Sequence, residues 1–141
     1  VTVLSPAYLF WPMFAHVLLV LVVFMLLSKQ RVGAVRAGRA KVSQFKDNRE
    51  EPVESLAAKN NIANQFEVPV LFHIACIQLQ LFDAVTLPAA VLAWLFVISR
   101  YAHAAIHLTS NRVLFRRRAF IASLVFTVAL WLLLAVRLAM G

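Results

Sequence analysis

The sequence predicts an all-α integral membrane protein, a four-transmembrane-helix bundle, and three observations carry that prediction. Hydrophobic residues make up 62% of the 141 positions and charged residues only 14%, with a mean hydropathy of +0.81, which lies outside the range of soluble domains of this length. The apolar residues gather into four runs, each near the ~20 residues needed to cross ~30 Å of hydrocarbon. Inside those runs polar residues recur at spacings of three and four: Asn60, Asn64 and Glu67, then Arg100, His103 and His107, then Arg112 and Arg116. Ionisable groups at membrane depth are costly, so they belong in a protein-lined site.

The first span is expected over about 7–31. Its first basic residues, Lys29 and Arg31, follow the apolar run, the reverse of a secretory signal, so the run reads as a retained span with its N-terminus outside. Pro6 and Pro12 fall near its start, where a missing backbone donor is tolerated. A loop at about 32–55 follows. The stretch from Lys29 to Lys59 holds eight of the fourteen Lys and Arg residues, with Asp47, Glu50, Glu51, Glu54, Gly33, Gly38 and Pro52, and reads as solvated chain with a short helical piece.

The second span, about 56–82, has Glu67 as its only charge after Lys59 and carries Pro69, which should kink the helix or free a carbonyl for a neighbouring helix to satisfy. The third, about 88–109, is separated by a tight turn at Ser110 and Asn111 from the fourth, about 113–137. All of it forms one domain, 1–141. Both basic regions, the long loop and the cluster Arg112, Arg116, Arg117 and Arg118, are expected in the cytoplasm by the positive-inside rule, with both termini outside, in an inner (cytoplasmic) membrane. The lone Cys76 permits no intrachain disulfide and reads as a small buried apolar residue.

At a rise of ~1.5 Å per residue, Asn64 and Glu67 fall roughly 12–17 Å into the second span, and His103 and His107 roughly 3–10 Å from the end of the third. The two stripes and Arg116 thus share the cytoplasmic half of the bilayer, and facing one another they would make a polar pocket. Such a pocket suits a charged, hydrogen-bonding ligand whose partner is apolar and arrives from the lipid. Arginines bind carboxylates in a fork and can hold a thiol as its thiolate, while Asn64 offers donor and acceptor and Glu67 can take an ammonium or orient Arg100. Serine-nucleophile, phosphate-loop and cysteine-metal motifs are absent from the sequence, and no metal or nucleic-acid partner is expected. Two other readings stay open: Arg116, Arg117 and Arg118 as an ordinary cytoplasmic anchor, and the Asn64, Glu67, Arg100 and histidine cluster as interhelical glue. His16 and His73, each about nine residues from the outer boundary, are also placed to hold haem iron between helices.

At these residues the chain resembles the MAPEG family, membrane-associated proteins in eicosanoid and glutathione metabolism. Asn64-Gln65-Phe66-Glu67 matches that family's Asn-x-x-Glu on the second helix. The run from Arg100 through His103 and His107 to Arg112 and Arg116 is most similar to the prostaglandin E synthase branch. The resemblance implies a homotrimer with glutathione bound between subunits. It places the thiolate-stabilising arginine at Arg116, with Arg31, Asn60, Asn64, Glu67, Arg100, His103, His107 and Arg112 as glutathione-binding positions. Three positions depart from the pattern: Asn60 and His107 stand where an Arg and a Tyr are common, and Phe120 where a tyrosine hydroxyl is expected.

The function implied is a glutathione-dependent transferase or peroxidase that activates the thiol for attack on a lipophilic electrophile. The alternative is a non-catalytic accessory or scaffold subunit of a larger membrane complex.

Overall fold

The computed structural model describes residues 2–46 and 50–140; Asp47, counted above among the loop acids, lies outside them. Among the described residues every regular element is helical: α1 (Ala7–Arg36), a short 3-10 turn (Val42–Phe45), α2 (Val53–Gln65), α3 (Val68–Leu81), α4 (Leu87–Leu108) and α5 (Val113–Ala139). α1, α4, α5 and the pair α2–α3 taken together are each long and apolar enough to cross a bilayer, so the chain is a four-span membrane bundle.

α1 and α5 turn narrow stripes inward and leave broad apolar surfaces outward. On α1 the buried positions Leu9, Pro12, His16, Leu19, Val23 and Leu27 follow three- and four-residue steps. α4 is the central helix, and Ala89, Ala90, Ala93 and Ala104 are buried along it, since small side chains let neighbouring backbones approach closely where no hydrophobic effect drives helices together. Its most extensive neighbour is α5. The apolar core is centred on Phe72 and Phe96, whose rings stack with centroids 3.8 Å apart, and on Cys76, Leu79 and Leu130. Polar tips are tied to main-chain carbonyls: Trp131 Nε1 donates to the Leu71 carbonyl at 3.1 Å, and Tyr101 Oη to that of Ala15 at 2.8 Å.

Pro69 does more than kink the second span. It lies in the first turn of α3, and α2 closes at Gln65, with Phe66 and Glu67 between the two helices. Proline has no N–H, so the Gln65 carbonyl has no helical donor and the ladder is interrupted. The chain recovers through the tight bonds Phe66 N–H to the Ala63 carbonyl (3.1 Å) and Val70 N–H to the Glu67 carbonyl (3.2 Å). Phe66 and Glu67 at the break are exposed, while the Asn64 carbonyl beside it is turned toward α4.

At the basic end, Arg31 near the end of α1 donates to both carboxylate oxygens of Glu51, from Nε at 2.8 Å and from Nη2 at 2.7 Å, and Ser55 Oγ adds a third bond to Glu51. The Glu51 side chain is 2% exposed. The Arg31 hydrogen bonds, aided by Ser55, hold its carboxyl below the usual carboxylate range. A depressed folded-state pKa means that the clamp contributes fully above the ordinary carboxylate pKa of about 4.3 and fades as pH falls through the folded value. Glu51→Gln is therefore expected to melt earlier than wild type in detergent at neutral pH, by the equivalent of about 1–3 kcal/mol. The gap should narrow steadily as both are acidified below the ordinary carboxylate pKa and on through the lowered folded value; a gap that does not narrow on acidification would mean the clamp does not depend on the carboxylate charge.

Candidate functional site

The third-helix stripe is turned inward. Arg100 is 0% exposed, His103 3% and His107 8%. The second-span stripe is turned outward instead: Asn60 and Glu67 are exposed and Asn64 is half-buried, while the neighbouring residues Asn61 and Gln65 are buried. Ser55, Ala58, Asn61 and Gln65 form the inner edge of α2, and the signal for it was present in the sequence as a small and polar run at the same helical spacing.

Gln65 is the hub. Arg100 Nη2 donates to Gln65 Oε1 at 3.0 Å, to Asn64 Oδ1 at 3.0 Å and to the Asn64 carbonyl at 3.1 Å, the last acceptor lying beside the break. Gln65 Nε2 donates to Asn61 Oδ1 at 2.9 Å, and Asn61 Nδ2 meets His107 Nδ1 at 3.3 Å. A guanidinium has no acceptor atom, so it fixes which end of each amide faces it, and the direction passes along the chain. Asn61 must donate, His107 Nδ1 must accept, and neutral His107 carries its proton on Nε2. Asn64 is oriented by the same logic, with Oδ1 on Arg100 and Nδ2 donating to Glu67 at 2.9 Å.

Beside this network lies a pocket of about 340 Å³ lined by Asn64, His103, Val113, Arg116, Arg117 and Phe120. Arg116 Nη1 bonds Asn111 Oδ1 at 2.5 Å; Asn111 has φ 46 in the α4–α5 turn, a conformation asparagine tolerates, and so places an acceptor where the pocket arginine is held. Three buried atoms on α4 have no hydrogen-bond partner among the described residues: Arg100 Nε, Arg100 Nη1 and His103 Nδ1. Buried donors left unpaired are expensive. Arg100 spends one nitrogen on the protein and leaves two nitrogens, with three N–H bonds between them, unpaired.

The other sequence-predicted positions are dispersed. Arg112 precedes α5 and is exposed, Asn60 is exposed on α2, and Arg31 is engaged with Glu51 and stacked over the Phe45 ring at 5.1 Å; none of the three lines this pocket. His16 and His73 do meet, but as partners: His16 Nδ1 and His73 Nε2 are 3.0 Å apart. Iron between two imidazoles needs about 2 Å to each nitrogen, hence about 4 Å between them. The two nitrogens are occupied by each other, and no grouping of three or more candidate metal ligands occurs among the described residues.

A four-span helical bundle with a basic, polar pocket lined by α2, α4 and α5 defines an integral membrane protein of the helical-bundle class. The MAPEG family model matches residues 9–136, nearly the whole chain. The chain belongs to the MAPEG family. No curated protein and no solved structure gives a significant match.

Proposed function

We propose that the protein is a glutathione-dependent transferase or peroxidase of the membrane, as members of its family generally are. The observation that carries this reading is that Arg100, bonded through Nη2 to Asn64 of the Arg116 pocket wall and itself buried behind it, keeps Nε and Nη1 unpaired. With Nη2 engaged, the open Nε–H and Nη1–H groups point in different directions, and each can give a single charge-assisted bond to an anionic oxygen; glutathione supplies two carboxylates and a thiol. Asn64 and Glu67, the latter exposed, are suited to the tripeptide's amide and ammonium groups. His107 Nε2–H supplies a donor where the prostaglandin E synthase branch has a tyrosine hydroxyl. Arg116 stabilises the thiolate, which raises the nucleophilic fraction at neutral pH, and a lipophilic electrophile enters from the bilayer.

Glu67 and Asn60 bear on assembly. A carboxylate facing hydrocarbon costs several kcal/mol, so these exposed groups are best accounted for by a second subunit and a ligand between subunits, as in a homotrimer. The basic end faces the cytoplasm of the inner membrane in this reading.

The test is the thiolate absorbance of bound glutathione. Wild type is expected to show it in an ultraviolet difference spectrum at neutral pH, and Arg116→Ala to lose it while still binding the peptide. Phe120 favours the second reading, a non-catalytic subunit of a larger complex, because it lines the pocket with a ring that has no hydroxyl. Glutathione bound without any thiolate band in the wild type would select that reading.

A further inference from the structure

The network that begins at Arg100 also runs the other way, into a second cavity that the glutathione reading does not use. Between α1 and the α2–α3 break lies a groove of about 390 Å³, walled by Val17, Leu21, Phe24, Phe66 and Val70, with His16, His73 and Gln65 as its polar residues. His73 lies eight residues from the end of α3, about 12 Å along it, so the groove opens toward the middle of the lipid.

The hydrogen-bond polarity of its floor follows from Arg100. Because Arg100 only donates, Gln65 presents Oε1 to it. His16 Nε2 lies 3.0 Å from the same oxygen and must carry the proton. Neutral His16 then has a lone pair on Nδ1, so the His73 Nε2 that faces it at 3.0 Å must donate. Neutral His73 is left with a lone pair on Nδ1, and that atom has no hydrogen-bond partner among the described residues. It is an acceptor without a donor, half-buried on an apolar groove where no water is at hand.

We propose that this groove binds a hydroxyl-bearing lipophile, a long-chain or ring alcohol whose O–H donates to His73 Nδ1 and whose apolar body lies between α1 and α3. An acyl chain or a purely apolar face of a second subunit would fill the space and leave the acceptor unpaired, at the cost that buried polar groups carry. A carboxylate or an ether oxygen brings only acceptors to an acceptor. The hydroxyl group is the simplest chemistry that matches both the walls and the floor.

The experiment uses two probes with a photoreactive diazirine in the tail, hexadecanol and its methyl ether, with the full chain in phosphatidylcholine nanodiscs and labelled peptides mapped by mass spectrometry. The alcohol is expected to label residues 17–24 and 66–74 about tenfold more than the ether at equal mole fraction, the worth of one matched hydrogen bond. His73→Phe should abolish that difference. Val70→Trp, which fills the groove and leaves the hydrogen-bonded chain intact, should lower labelling by both probes and keeps the test valid if the histidine variant does not fold. Equal labelling by alcohol and ether in the wild type would overturn the proposal by showing apolar contact alone. Labelling of α5 but of neither groove segment would overturn it in favour of a second subunit covering the groove.

Discussion

Gln65→Leu is expected to be among the most destabilising single substitutions in the chain, lowering stability in detergent by about 2–4 kcal/mol. Leucine fits the volume but removes the acceptor shared by Arg100 and His16 and the donor to Asn61, so three buried polar groups on three helices lose a partner together. The reference state moderates the figure, because a chain unfolded in detergent or lipid also finds partners for some of these groups. Gln65→Glu is the informative companion. It keeps the acceptor for Arg100 and His16 but cannot donate to Asn61, so Asn61 must turn its amide and present an oxygen to His107 Nδ1. Thermal melts of Gln65→Leu, Gln65→Glu and Asn60→Ala should fall in that order of damage, with Asn60→Ala within about 0.5 kcal/mol of wild type because its side chain is exposed. Nitrogen-15 shifts of the His107 ring should report proton transfer from Nε2 to Nδ1 in Gln65→Glu. A Gln65→Leu protein as stable as Asn60→Ala would show that the polar chain is not what joins α1, α2 and α4.

The contrast between Asn60 and Gln65 shows where sequence reading stops. Four apolar runs, a basic end and charged residues at helical spacing are properties of the chain itself, and the bundle and its family follow from them. The rotation of α2 about its own axis is not such a property. Asn60 and Asn61, and Asn64 and Gln65, are adjacent pairs, so two polar stripes about 100° apart run along the same helix. Glu67 extends the first stripe and made it the more conspicuous, yet Ser55 and Ala58 continue the second, and small residues are what a membrane helix packs inward. Pro69 likewise announced a disturbance but not its use. Only the fold shows the Asn64 carbonyl meeting Arg100 beside the break. Arg100 itself was legible as a site residue, whereas the direction it imposes on every amide and imidazole from His73 to His107 depends on contacts between four helices.

Arg100→Met should weaken glutathione binding by about 30-fold or more, the loss expected when a buried, charge-assisted pair loses one partner. Methionine preserves much of the length and apolar stem, so the bundle keeps its packing better than with alanine. Arg100→Lys should fare little better, because a single ammonium cannot keep the Nη2 bonds to Asn64 and Gln65 and also offer donors in the separate directions of Nε and Nη1. Titration calorimetry with glutathione and with its two monocarboxyl-blocked derivatives closes a double-mutant cycle. One of the derivatives should bind wild type as weakly as glutathione binds Arg100→Met, and should lose little further in the variant. Peptide that saturates the variant at high concentration should still show the thiolate band, since the proposed function assigns the sulfur's charge to Arg116 and not to Arg100. That separation is what distinguishes a carboxylate anchor from a generally damaged pocket: affinity falls while the thiolate fraction at saturation does not. Equal affinity in Arg100→Met and wild type would remove the unpaired donors as evidence for the ligand, and the N–H groups of Nε and Nη1 would then have to be satisfied by water held between α2 and α4.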